Sequence, residues 1–264
     1  MRISTRNNIK VLGSGRDVLM FGHGYGCDQS MWHAVVPNFV RNYKVVLFDH
    51  VGAGGSDTSA FDTDRYNTLR GYALDVLDIC RELDLKRITF VGHSVSAMIG
   101  ALAAIIEPER FANLVMIAPS PCYLNDEEYK GGFSRAEIDA LLNVMENDFR
   151  GWSTRMAPVI ARNPDKPEVA AEFAASLQRS DPKIAQHFAR VTFLSDYREE
   201  LPKLMTRTLV LQTEEDVMAG VNVGRYVQKA IADSSFVLLD ATGHLPHLSA
   251  PGVVVRAIKD FLGH

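Results

Sequence analysis

The stretch RITFVGHSVSAMIGALAAII, residues 87–106, decides how the rest of the chain is read. RITFV has the composition of a strand, GHSVS that of a turn, and AMIGALAAII that of a mostly apolar helix. A strand that delivers a serine at a sharp turn into a helix is the context of a nucleophile elbow, written G-x-S-x-G. Here Ser96 stands in place of the second glycine. The glycines of such a turn are needed because strand and helix backbones approach too closely for a large substituent on Cβ. Gly92 meets that need on the strand side, and Ser96, the next-smallest polar residue, lets the turn survive with slightly more crowding. Ser94, at the centre, is the candidate nucleophile. Ser96 would lie one step inside the helix and face another way.

The same alternation extends in both directions. DVLMFGHG (17–24) and YKVVLFDHVGAGGSD (43–57) read as apolar strands running into glycine-rich turns, ANLVMIAPSP (112–121) and SSFVLLDATGH (234–244) read as strands, and TRTLVLQTEED (206–216) as a strand ending in acidic residues. Between them, residues 68–85 place Leu69, Tyr72, Ala73, Val76, Leu77, Cys80 and Leu83 on one helical side, and further helices fall near 223–231 and from about Pro251. Apolar strands alternating with helices predict an α/β fold with a mostly parallel central sheet covered on both faces. Between residues 125 and 195 the pattern becomes three or four successive helices without a clear strand. One apolar stripe runs through Ile138, Leu141, Leu142, Met145 and Phe149, and another through Ile184, Phe188 and Val191. Such an insertion covers the strand ends where ligands bind in these folds. The expected organisation is a core of residues 1–124 and 196–264 with a helical cap of residues 125–195.

Composition narrows the function classes. Apolar residues make up 47% of the 264 and the formal net charge is −4, which leaves no electrostatic case for nucleic acid. The apolar run 96–106 is too short to span a bilayer, so no membrane partner is expected. Cys27, Cys80 and Cys122 show neither metal-ligand spacing nor a disulfide framework. With a polar opening, MRISTRNNIK, they suggest a reducing, cytoplasmic setting.

A lone serine hydroxyl is a weak nucleophile and needs a base and an orienting acid. The order in an elbow of this kind is Ser, then Asp or Glu, then His. Of the eight histidines, His23, His33, His50 and His93 precede Ser94, His187 lies in the helical insertion and His264 ends the chain. His244 and His247 remain, in DATGHLPHLSAP (240–251). His244 follows Gly243 in a loop able to lean over the elbow, while His247 helps build that loop. For the acid, Glu214, Glu215 and Asp216 end the preceding strand, and Asp216 reaches furthest into the loop. Asp240 is the weaker alternative, still inside its strand. The oxyanion donors fall on the N–H of Val95, after the nucleophile, and of Tyr25, in the GHGYG loop where Gly22, Gly24 and Gly26 permit a tight turn. GAGGSD (52–57) has Asp57 where a dinucleotide loop needs a third glycine, so it reads as a turn with Asp49 at its start.

Together GHGYGCDQSMW, FDHVGAGGSD, GHSVSAMIG, PSPCYLND, GGF and GHLPHLSAP resemble the RsbQ-like branch of the α/β-hydrolase family. That branch is similar to the plant strigolactone and karrikin receptors, and the resemblance covers nearly the whole chain. It implies an α/β-hydrolase fold with an inserted four-helix V-shaped cap, and a triad of Ser94, Asp216 and His244 with Tyr25 and Val95 as oxyanion donors. In RsbQ the position of Ser96 is glycine, whereas the plant receptors carry GHSVSAMIG as here. Tyr25 stands where the branch commonly has phenylalanine. The comparison also implies a pocket walled by Tyr25, Tyr123, Phe133, Trp152, Met156 and Phe193, suited to a small hydrophobic ligand. Two functions follow as expectations. One is hydrolysis of a small hydrophobic ester or lactone, butenolides included, with no cofactor. The other is a signalling role in stress response through a PAS-domain serine phosphatase.

Overall fold

The computed structural model describes residues 2–263; His264 lies outside the described residues. Its strands are β1 (Lys10–Leu12), β2 (Asp17–Gly22), β3 (Tyr43–Leu47), β4 (Ile88–His93), β5 (Phe111–Ile117), β6 (Arg207–Thr213) and β7 (Ser234–Leu239). They form one seven-stranded sheet in the order β1-β3-β2-β4-β5-β6-β7. Every neighbouring pair is parallel except β1 with β3. The helices are α1 (Ile3–Arg6), α2 (Leu69–Glu82), α3 (Val95–Ile106), α4 (Arg135–Asn147), α5 (Phe149–Ala161), α6 (Pro167–Arg179), α7 (Pro182–Phe193), α8 (Val221–Ala230), α9 (Pro246–Ser249) and α10 (Pro251–Leu262).

Successive strand residues point to opposite faces, and here both faces are apolar. Met20, Val46, Phe90 and Met116 enter the layer made with α2, α3 and Val227 of α8. Their neighbours Leu19, Val45, Val91 and Val115 enter the opposite layer, with Trp32, Phe39 and the Val254, Val255 and Ile258 face of α10. Each fully buried large side chain contributes roughly 1.5–3 kcal/mol of transfer free energy, so the central strands are held from two sides. The strands therefore read as continuous apolar runs rather than alternating ones.

Helices α4 to α7 sit between β5 and β6 and share a third apolar cluster. Ile138, Leu142 and Met145 of α4, Trp152 and Ile160 of α5, Phe173 and Leu177 of α6 and Phe193 of α7 meet there, together with Cys27, Met218 and Leu245 from loops of the sheet. The chain leaves and re-enters the sheet region at adjacent points, because Cys122 and Asp196 form an antiparallel bridge. Ser134 starts α4 with a reciprocal capping box to Glu137.

Three local expectations differ from the structure, and one strand has no counterpart in the sequence pattern. Phe149 does not continue the α4 stripe: Asp148, at φ −149°, ends α4 and caps α5 by accepting from the Gly151 N–H. The strand expected over 112–121 stops at Ile117, where Ala118 turns to φ +50°. That expected over 234–244 stops at Leu239, where its ladder with Thr213 ends, so Asp240 lies beyond the strand and is exposed. Strand β1 leaves no sign in the sequence: its residues are all exposed on an edge, so no burial alternation marks it. The cysteines are free and buried. Among the described residues no helix is long and apolar enough to cross a membrane.

Candidate active site

Strand β4 ends at His93 and α3 begins at Val95, leaving Ser94 alone at the corner with φ +54° and ψ −122°. An L-residue at positive φ is strained by about 1–3 kcal/mol unless its surroundings hold it. Here the Ser94 N–H donates to Ile117 O at 2.8 Å and its carbonyl accepts from the Ala97 N–H at 2.9 Å. The backbone does approach itself closely: a Cβ on Gly92 would stand 2.5 Å from Ser96 O. Gly22 and Gly92 pair in register at the ends of β2 and β4, so the GHGYG loop and the elbow emerge side by side.

Three side chains that are distant in sequence meet at this corner. His244 Nε2 lies 2.8 Å from Ser94 Oγ, and His244 Nδ1 lies 2.7 Å from Asp216 Oδ2. All three residues are buried. The carboxylate is fixed by more than the imidazole: its Oδ1 accepts from the Met218 and Ala219 N–H groups at 2.8 and 3.1 Å, and its Oδ2 from Gln212 Nε2 at 3.3 Å. With Asp216 accepting at Nδ1–H, Nε2 is left as the acceptor facing the serine. Glu214 and Glu215 are exposed, and Glu215 pairs with Arg162 instead. His247 packs its ring 4.8 Å from that of Trp32 and 4.4 Å from that of His93, away from the serine hydrogen bond.

The loop bearing His244 is gripped by the end of α5. The His244 N–H donates to Ile160 O at 3.0 Å, and Asn163 Nδ2 donates to Thr242 O at 3.1 Å. From below, His93 Nε2–H donates to His244 O at 2.7 Å. Burial, with His247 and His244 nearby, lowers the His93 pKa well below the usual histidine value, so the ring stays neutral and keeps one donor. Gly243 sits at φ +79°, and a Cβ there would lie 1.8 Å from Ala161 O. Gly243→Ala is therefore expected to lose at least about 1–3 kcal/mol from backbone strain alone. The denaturation midpoint checks this; an unchanged midpoint would mean that the end of α5 simply yields.

Above the corner lies an apolar cavity. Tyr25, Tyr123, Phe133, Trp152, Met156 and Phe193 line it, with Ser94 and His244 at its floor. Burial pushes the Tyr123 phenol up to about 12 despite its contact with Ser94, so it stays protonated beside the serine. Burial raises the Tyr25 phenol as well, and its hydroxyl is buried without a partner. Neither the Tyr25 nor the Val95 N–H donates to a protein atom among the described residues. No His, Cys, Asp and Glu group among those residues is arranged to hold a metal ion.

Sequence reasoning missed several contributors. Leu141, Ile160, Phe173, Thr192 and Met218 also line the cavity; all but Met218 belong to helices whose apolar residues read equally well as packing. Gln212 carried a signal, being an amide in the buried run of β6. His93 carried none, since a histidine beside the serine gives no hint of which backbone carbonyl it meets.

The model of the alpha/beta hydrolase family matches residues 18–257. The chain is 38% identical to a protein named Karrikin insensitive 2 receptor CA from Petunia hybrida, over 99% of this chain and 97% of that one. It is 40% identical to the strigolactone esterase of Arabidopsis thaliana, over 96% of this chain and 94% of the relative. A solved hydrolase from Oleispira antarctica superposes with a TM-score of 0.96 at 36% identity, covering 99% of this chain and 97% of that chain. On this agreement of sequence match, sheet order and serine corner, the chain belongs to the alpha/beta hydrolase family.

Proposed function

We propose that the protein hydrolyses a small hydrophobic ester or lactone, butenolide-like compounds among them, through an acyl-Ser94 intermediate. The observation that carries this reading is the run of hydrogen bonds from Ser94 through His244 to Asp216, set in the floor of an apolar cavity. His244 Nε2 takes the serine proton as Oγ attacks the carbonyl, and Asp216 stabilises the imidazolium that forms. The Val95 and Tyr25 N–H groups hold the developing oxyanion, a contribution of about 2.7–4 kcal/mol for each such donor. The imidazolium returns its proton to the leaving oxygen. His244 then activates water, which attacks the acyl carbonyl and releases the acid. Residues 125–195 act as a cap over this chemistry, with residues 1–124 and 196–264 as the core. Tyr25, Tyr123, Phe133, Trp152, Met156 and Phe193 form the substrate wall. No step needs a cofactor.

The test incubates the protein with a panel of aryl esters and butenolides, following product release alongside intact-protein and peptide mass spectrometry. Turnover with acyl mass on the Ser94 peptide is expected. Product release with no adduct at Ser94, or an adduct at His244 alone, would overturn the acyl-serine route.

A second reading is favoured by the receptor name borne by the 38% identical relative. In it the same pocket binds or slowly cleaves a small hydrophobic signal, and the cap surface engages a partner such as a PAS-domain serine phosphatase. Slow turnover with ligand-dependent retention of that phosphatase supports the signalling role; fast turnover of many esters without retention supports the plain enzyme.

A further inference from the structure

The residue that breaks the elbow glycine pattern closes a buried ring of hydrogen bonds. Ser96 Oγ lies 2.5 Å from His23 O and 2.7 Å from His50 Nε2. A carbonyl only accepts, so the serine donates its one proton there, and His50 must be the Nε2–H tautomer donating to Ser96 Oγ. The ring closes through the His50 N–H, which donates to His23 Nε2 at 3.0 Å, while His23 Nδ1–H donates to Gly24 O at 2.9 Å. His23, His50 and Ser96 are each no more than 1% exposed. Burial, with His23 alongside, keeps the His50 pKa well below the ordinary value, so the donor pattern persists through the neutral range.

This ring joins the two segments that carry the free N–H groups at the corner. His23 stands two residues before Tyr25, and Ser96 one residue after Val95. Neighbouring atoms leave the loop little room to shift on its own: a Cβ on Gly24 would lie 2.4 Å from His93 Nδ1, and one on Gly22 would lie 3.0 Å from Ser96 Oγ.

We propose that Ser96, held by His50, is a positioning residue that sets the separation of the Tyr25 and Val95 N–H donors. This rests on the serine-hydrolase reading for its kinetic consequence. Ser96 touches no reacting atom; its hydroxyl pins the His23 carbonyl, and with it the GHGYG loop, to the first turn of α3. Misplacing catalytic groups by about 1 Å costs on the order of 100-fold in rate, so loss of the pin acts on turnover more than on binding.

The test compares Ser96→Ala, His50→Leu and His50→Gln using 4-nitrophenyl butyrate. Ser96→Ala and His50→Leu are expected to lower kcat roughly 10- to 100-fold with KM changed less than about threefold. The glutamine amide can take the place of Nε2–H, so His50→Gln should recover most of the loss. A second measurement needs no turnover: amide NMR shifts of Tyr25 and Val95 in Ser96→Ala and His50→Gln, free and with phenylboronic acid. Both amides should move in Ser96→Ala and stay near their original positions in His50→Gln, which keeps the Ser96 hydroxyl and a donor to it. Unmoved amides, or KM rising in step with any loss of kcat, would overturn the positioning role. If the unmodified protein fails to turn over any ester while the amides still move in Ser96→Ala, the hydrolase reading falls and the positioning ring stands.

Discussion

Ser94→Ala is expected to abolish ester hydrolysis with folding retained. In serine hydrolases, loss of the nucleophile costs on the order of 10⁶-fold in kcat, because the base and acid have nothing to activate once the hydroxyl is gone. The fold has little reason to respond. The alanine keeps the backbone bonds to Ile117 and Ala97, and the side-chain interactions lost are the 2.8 Å bond to His244 and the contact with the Tyr123 phenol. A companion variant separates chemistry from strain. Ser94→Gly should be equally inactive, yet more stable than the alanine variant by up to about 1 kcal/mol, since glycine accepts φ +54° without a Cβ penalty. Steady-state kinetics with an aryl ester and thermal denaturation read the two effects. Normal turnover by Ser94→Ala would refute the nucleophile assignment, whatever the stabilities.

Acidification is expected to destabilise the protein steeply below about pH 6. His50 and His93 have their pKa values held well below the ordinary range, and His247 is pushed down to about 3, in each case first by burial and then by neighbouring histidines. In the unfolded chain each returns to about 6.5. The sign follows from proton counts: at pH 5 the unfolded chain binds a proton at each of these rings and the folded chain does not. These rings therefore cost nothing above about pH 6.5 and destabilise the folded state progressively as pH falls below it. Each contributes a slope of about 1.4 kcal/mol per pH unit, so the three together give roughly 4 kcal/mol per unit. Against a typical total stability of about 5–15 kcal/mol, this unfolds the domain within a few pH units. Urea titrations at stepped pH values measure the slope. His247→Gln, which removes one titrating ring outside the serine hydrogen bonds, should reduce it by about a third. An identical slope in that variant would show that His247 does not stay neutral in the folded state.

How much of this is legible in the sequence differs from one residue to the next. The elbow could be read because its demands are local: a strand, a small residue at 92, a serine and a helix lie within a few residues of one another. The preference for Asp216 over Glu214 and Glu215 rested on reach along a loop, and the structure puts that carboxylate on His244 while Glu215 turns outward to Arg162. The helix at 135–147 was legible from its stripe, but its end was not. Phe149 sits at a helical interval from Met145, and nothing in the periodicity reveals that Asp148 starts a new axis. Strand β1 left no pattern because an exposed edge buries nothing.

What the sequence determined by itself is what short-range chemistry imposes. It set the alternation of apolar strands with amphipathic helices, the elbow and the interruption of the alternation by successive helices. Tertiary structure alone decided which distant groups meet: His93 under the His244 carbonyl, the His244 N–H on the Ile160 carbonyl at the end of α5, Asp216 beside His244, and Ser96 bridging His50 to His23. Each of these is a directional bond between segments many residues apart. Its partner is chosen by strand order and by the close packing of backbone at glycines, and neither is encoded in the residues next to it.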